Sequence, residues 1–200
     1  MASGDPSGQL DEVGPQGEQP PAAVSLAPSS PTFTVAPGAL VGHPQGSSLA
    51  SDGIPSTALL AYERAAAREH LLHPACGLPW PLLAGIGRAE SDHGRFAGAV
   101  LHIDGISTPR VIGIPLDGNG TARISDTDGG RLDGDRVYDR AVGPMQFIPS
   151  TWAGYGVDAN GDGVKDPYNP VDAIFGAARY LHAAGASQNL RQAIFAYNHA

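Results

Sequence analysis

Glu90 is the residue in this chain best placed for acid–base chemistry. It lies in LLAGIGRAESDHGRF, where the apolar residues Leu83 and Ile86 precede it at helical spacing. Offsets of three and seven residues put all three on one helix face. A carboxyl on a face that should be buried breaks the apolar pattern, and such breaks concentrate at working sites. Burial disfavours the carboxylate and lifts its pKa, as a general acid near neutral pH requires. The plainer alternative is that Glu90 is the first polar residue where the helix surfaces. Asp92, two residues on, points elsewhere on a helix and makes a poor second carboxylate. Asp133, Asp135 and Asp139 stay open as partners for Glu90.

A second set of residues suits a hard cation. Asp158, Asn160 and Asp162 followed by Gly163 reproduce the opening of an EF-hand loop, with oxygen donors at positions 1, 3 and 5 and glycine at 6. Val164, at position 7, would add its backbone carbonyl, whereas Asn169 at position 12 lacks the usual bidentate carboxylate. The pattern implies a structural Ca2+ and no cofactor for chemistry. DGNG at Asp117 and DTDGGRLDGD at Asp126 lack that spacing and read as turns. Cys76 is the single cysteine, so no intrachain disulfide forms, and it reads as a packing residue.

The elements that must carry these residues begin after a tail. Residues 1–50 hold eight Pro, seven Gly and seven Ser, no Lys or Arg, and Phe33 as the lone aromatic. Such a segment buries too little apolar surface to offset its ordering entropy, so 1–53 is expected as a disordered tail or linker. The chain carries a net charge of -8, and all 12 basic residues lie from Arg64 onward without forming a stripe. Nucleic acid is thereby excluded as the main partner. No segment has the length of a transmembrane helix, and the start lacks a secretory leader's pattern.

Residues 54–200 then read as one mainly helical domain. PSTALLAYERAAAREHLL predicts a helix capped by Ser56 or Thr57, with Leu59, Leu60, Ala66, Ala67 and Leu71 on its apolar face. A second helix opens at Pro79–Pro81 and runs to about Ser91. Its glycines, Gly85 and Gly87, each cost ~1 kcal/mol against alanine, which suggests close approach of a backbone or ligand. AVLHI and RVIGIPL are β-prone and predict a small hairpin or an irregular lobe over 97–139. IPSTWAGYG predicts a short helix. NPVDAIFGAARYLHAAG predicts a longer one, capped by Asn169, with Val171, Ile174, Phe175, Ala178 and Leu181 on one side. SQNLRQAIFAYNHA opens a last helix with Leu190, Ile194 and Tyr197 aligned.

Four motifs now stand in order: GIGRAESDHGRF, AVGPMQFIPSTW, DANGDG leading into NPVDAIFGAARYL, and AIFAYN. Together they resemble the lytic murein transglycosylases, in particular the membrane-bound type B branch and its actinobacterial relatives. The resemblance runs from about Ile54 to the last residue. It implies a lysozyme-like α+β fold and cleavage of the MurNAc–GlcNAc bond of peptidoglycan glycan strands, leaving a 1,6-anhydro sugar.

On that resemblance Glu90 is the single catalytic acid. Gln146 and Phe147 line the sugar groove, and Tyr197 and Asn198 sit beside the acid. Packing is the alternative for Phe147 and Tyr197. Ser91 is a candidate to donate to Glu90 or to substrate, with helix capping the alternative. The type B loop is longer than an EF-hand loop, and its closing acid corresponds to Asp172, for which a capping box with Asn169 is the alternative. A monomer at the cell wall, outside the cell, is expected; the start taken literally reads as cytosolic, whereas the Pro/Gly/Ser-rich tether fits a secreted protein whose leader is not in this chain. Family members continue past the Tyr–Asn motif, which leaves room for a domain incomplete at its C-terminus. Two other functions are weighed: a non-catalytic peptidoglycan- or calcium-binding module, and a hydrolytic muramidase.

Overall fold

The computed structural model describes residues 45–198; the expected tail over 1–44 lies outside them. The expectation of disorder fails for 45–53. Ser47 N–H donates to Leu101 O and Ile103 N–H to Gln45 O, so this stretch pairs with the chain near 101–103.

Five helices and two small antiparallel ribbons follow: α1 Ser56–Leu72, α2 Trp80–Ser91, β1 Val100–Leu101, β2 Ser107–Thr108, β3 Ile112–Pro115, β4 Arg140–Val142, α3 Pro149–Tyr155, α4 Pro170–Ala183 and α5 Leu190–Asn198. The fold is mainly helical with a β excursion, as expected. α4 is its hub and packs against all four other helices. Asn169 caps it by accepting from the Val171 N–H at 2.9 Å, and Pro170 fills the first position. Residues all around α4 are buried, including Asp172, Ala173, Ile174, Gly176, Ala177 and Leu181.

α1 shows another face than expected. Ala58, Ala61, Tyr62, Ala65, Ala66 and Glu69 are buried, while Leu60 is exposed and Leu71 is 80% exposed. Of the expected stripe only Ala66 is buried. An alanine-rich helix carries little hydrophobic contrast between faces, and the small face wins because it lets α1 lie close against α4. Its cap differs too. Pro55 holds the N-cap position, and the Thr57 N–H donates to Ser47 Oγ at 3.1 Å, so the cap comes from the segment before it.

Of the two expectations for the β excursion, a small hairpin or an irregular lobe, the structure has the second, built on two ribbons. β1 pairs with β2, Val100 opposite Thr108, and β3 pairs with β4, Ile112 opposite Val142. β4 leads into a tight loop closed by reciprocal backbone bonds between Val142 and Phe147 at 2.9 and 3.0 Å. Gly143 in that loop has a φ of 75° and lies against the Pro167 carbonyl, where a Cβ would collide. That contact requires glycine.

Candidate active site

Glu90 stands in the last turn of α2, which ends at Asp92 in the left-handed conformation. Asp92 turns to pair with Arg95 at 3.0 Å and plays no part beside Glu90. Leu83 and Ile86 are buried below Glu90, as the helical spacing predicts. Glu90 is half-buried and lines a cavity of about 280 Å³ with Leu82, Gly85, Ile194, Tyr197 and Asn198. Burial lifts the Glu90 carboxyl above the ordinary carboxylate range.

The two α2 glycines have separate causes. A Cβ on Gly85 would meet nothing within 4 Å, so this glycine leaves the groove floor open. Gly87 is packed against the Tyr62 hydroxyl, with Met145 Sδ 3.2 Å from where its Cβ would stand.

Tyr197 joins two hollows. It borders the Glu90 cavity and also a smaller one, about 40 Å³, lined by Gln146, Phe147, Thr151 and Tyr180. Its hydroxyl donates to Met145 O at 2.8 Å rather than to Glu90. Burial, and then the charge of Glu90, raise its pKa, so it stays a neutral phenol. Phe147 is buried edge-on to Trp152 and Tyr197, with ring centroids 5.1 and 6.1 Å away. Packing and lining are thus both true of it. Gln146 has a φ of 50°, strained for a residue with a side chain, and its Nε2 donates to Gly143 O at 2.9 Å. Strain of this kind clusters at binding sites.

Ser91 departs from the substrate-binding expectation. It is 1% exposed, donates to Pro144 O at 2.6 Å and accepts from Gly94 N–H at 2.7 Å. Both capacities are spent on fastening the end of α2 to the Gly143–Gln146 loop. Sequence reasoning missed Thr151 and Tyr180. Tyr180 falls off the apolar stripe of α4, and only the approach of α5, where it donates to Ala196 O at 3.1 Å, brings it to the groove.

The remaining acids lie elsewhere. Asp133 and Asp135 border a separate hollow, where Asp135 pairs with Arg140 at 2.9 Å. Asp139 is fully buried and accepts from the Thr127 N–H and hydroxyl at 2.9 and 2.7 Å. Among the described residues, no second acid lines the Glu90 cavity. The Asp126 segment is a run of turns, as expected, but it also gathers carboxylate oxygens of Asp126, Asp128 and Asp139 within 4.8 Å of one another.

The 158–164 loop has the oxygen-rich chemistry of a calcium site. Asp158 accepts from the N–H groups of Gly161, Asp162 and Gly163 at 2.7–3.2 Å, and Asp162 from Val164 at 2.8 Å. Asp172 makes no capping bond with Asn169. It reaches across to accept from Ala159, Asn160 and Asp166 at 2.8, 3.3 and 3.0 Å, holding the loop's backbone. Its oxygens are not gathered with those of Asp158 and Asp162 to within 4.8 Å. The oxygen donors of Asp158, Asn160 and Asp162 are of the kind hard cations take, and Asp172 holds the backbone of the same loop.

Residues 137–196 match the transglycosylase SLT domain family. Over 118 residues, 54% of this chain, it is 33% identical to the membrane-bound lytic murein transglycosylase B of Escherichia coli K12. Both likenesses are to lytic transglycosylases, each over part of the chain. The chain spans about a third of that relative's length, 32%. Similar solved structures include Escherichia coli lytic transglycosylase Slt35 in complex with calcium, at 24% identity over 68% of this chain and 46% of that one, TM-score 0.41. Another is SltB3 of Pseudomonas aeruginosa in complex with NAG-anhNAM-pentapeptide, at 21% identity over 72% and 43%, TM-score 0.35.

Among the described residues, no helix is long and apolar enough to cross a membrane.

Proposed function

We propose that this chain cleaves the MurNAc–GlcNAc bond of peptidoglycan by lytic transglycosylation, with Glu90 as acid and then base. One observation carries the proposal: Glu90 is a lone carboxyl in its groove, lifted in pKa by burial, with no second acid among the lining residues. The protonated Glu90 donates to the glycosidic oxygen as the C1–O bond breaks and positive charge develops on the muramoyl ring. The C6 hydroxyl of that same sugar attacks C1, and its proton passes to the Glu90 carboxylate. A 1,6-anhydro ring forms, Glu90 regains its proton, and no water is consumed. Ordinary glycosidases place two carboxyls ~5–9.5 Å apart, one to bind or activate the nucleophile. Here the substrate supplies the nucleophile, so one acid suffices.

Gln146 offers the groove an amide for sugar hydroxyls or N-acetyl groups. Tyr197 and Phe147 wall it, and Asn198 stands at the mouth of the Glu90 cavity. The loop at Asp158, Asn160, Asp162 and Val164 is proposed to take a structural Ca2+. The working place is the cell wall, outside the cytoplasm, and the chain acts as a monomer.

Product analysis on purified peptidoglycan tests the proposal. Soluble muropeptides ending in anhydro-MurNAc are expected, and Glu90→Gln releases none. Reducing-end products instead would mean hydrolysis. Capture of glycan without soluble sugar would mean a binding module.

A further inference from the structure

Away from the groove, the C-terminal ends of α1 and α4 bring three metal-ligating side chains together. Glu69 and His73 are four residues apart at the end of α1, where the His73 N–H closes the helix on Glu69 O at 2.7 Å. His182 comes from the last turn of α4. The His73 and His182 rings stack at 3.8 Å between centroids, 10° from parallel. One ligand atom of each residue, two imidazole nitrogens and a carboxylate oxygen, lies within 4.8 Å of the others. Two atoms at this place are buried without partners: Glu69 Oε2 and His182 Nδ1. Glu69 is only 8% exposed and makes no ion pair among the described residues.

A buried carboxylate oxygen without a hydrogen-bond donor is costly, and so is an orphaned imidazole nitrogen. One cation would satisfy both. We propose that Glu69, His73 and His182 form a site for a divalent transition metal of the zinc type, distinct from the acidic loop at Asp158. Two imidazoles and one carboxylate suit Zn2+ and Co2+ and are ill matched to Ca2+, which takes oxygen alone. Ligands of a tetrahedral ion with ~2.0–2.1 Å bonds sit roughly 3.4 Å apart, and each imidazole aims an in-plane lone pair at the ion, so binding requires the His73 and His182 rings to turn out of their stack.

Three protein ligands leave a fourth position open. Glu69 and His73 border a cavity of about 280 Å³ that Arg68 and Arg179 also line, with Asp158 and Ala159 on its wall. With two guanidinium groups nearby, that position takes water or a small anion. The ion would pin the end of α1 to the end of α4.

The test is Co2+ and Zn2+ titration of the untagged full chain in millimolar Ca2+, which occupies oxygen-only sites. One equivalent of Co2+ should give the intense visible bands of a four-coordinate ion, bleached by Zn2+, and Zn2+ should raise the melting temperature. Glu69→Gln and His182→Gln, which keep volume and polarity, should each weaken Co2+ binding at least ~10-fold, as losing a ligand costs no less than losing an outer-shell partner. Circular dichroism confirms that each variant is folded. No bands with excess Co2+, or bands that persist unchanged in both variants, would overturn the site.

Discussion

Glu90 in the last turn of α2 and Asp172 in the first turn of α4 are each the single acid of a mainly apolar helix, and burial raises the pKa of each. Their surroundings differ in what else reaches them. Asp172 is fully buried and accepts three backbone N–H bonds from the loop it braces, each opposing the effect of burial. Glu90 accepts no hydrogen bond among the described residues and opens on a cavity. The same functional group is thus spent in one place and left available in the other. A carboxyl whose lone pairs are committed to the backbone holds structure, and one kept free can exchange a proton with a ligand.

The sharpest way to break this comparison is to remove each acid in turn. Glu90→Gln should lower anhydro-muropeptide release by at least ~10²-fold, the ordinary scale of general acid catalysis, while the fold persists. Asp172→Ala should do the reverse. It strands three N–H groups, destabilises by about 3 kcal/mol or more in urea unfolding, and leaves activity per folded molecule near wild type when assayed well below the transition. If Asp172→Ala loses activity as steeply as Glu90→Gln while folded, the contrast is wrong.

Ser91→Ala should cost about 1–3 kcal/mol through its two severed bonds, with KM for peptidoglycan unchanged. A raised KM with unchanged stability would return Ser91 to the substrate.

A pH series sharpens the Glu90 side. Its folded-state pKa lies above the unfolded value, so the folded chain holds that proton more firmly. The wild type therefore loses stability as pH rises from the unfolded pKa to the folded one, and the loss is constant above. Glu90→Gln should match wild type at acid pH and gain on it through that window, read as a growing difference in melting temperature. The basic limb of kcat/KM should sit above the ordinary carboxyl range for the same reason.

The smallest effect belongs to the loop. Millimolar Ca2+ should stabilise the chain by about 1 kcal/mol. That gain should vanish in Asp158→Ala combined with Asp162→Ala.

Much of this contrast was legible in the sequence, though unevenly. The periodicity of Leu83, Ile86 and Glu90 placed the acid on the right face. Asn169 and Pro170 announced the start of α4. The α1 face was misread because alanine packs on either side of a helix without declaring which. The sequence left a hairpin and an irregular lobe both open over 97–139, because strands of two to four residues carry no partner information. Ser91 was open to two readings, a donor to Glu90 or substrate and a cap, because a hydroxyl beside a candidate acid does not declare which group it meets until burial shows where it points.

What the sequence by itself determined are the local features: helix spans, the Asn169 cap, the oxygen-rich spacing of the 158–164 loop, and an acid on an apolar stripe. These follow from contacts a few residues apart, so the order of residues suffices. The tertiary structure alone decided which acids stand apart from Glu90, that Asp172 reaches back to brace a loop, that Tyr180 joins Tyr197, and that His73 meets His182. The meetings of Tyr180 with Tyr197 and of His73 with His182 depend on α5 and α1 docking on α4, and that docking is set by side-chain volume across the helix interfaces.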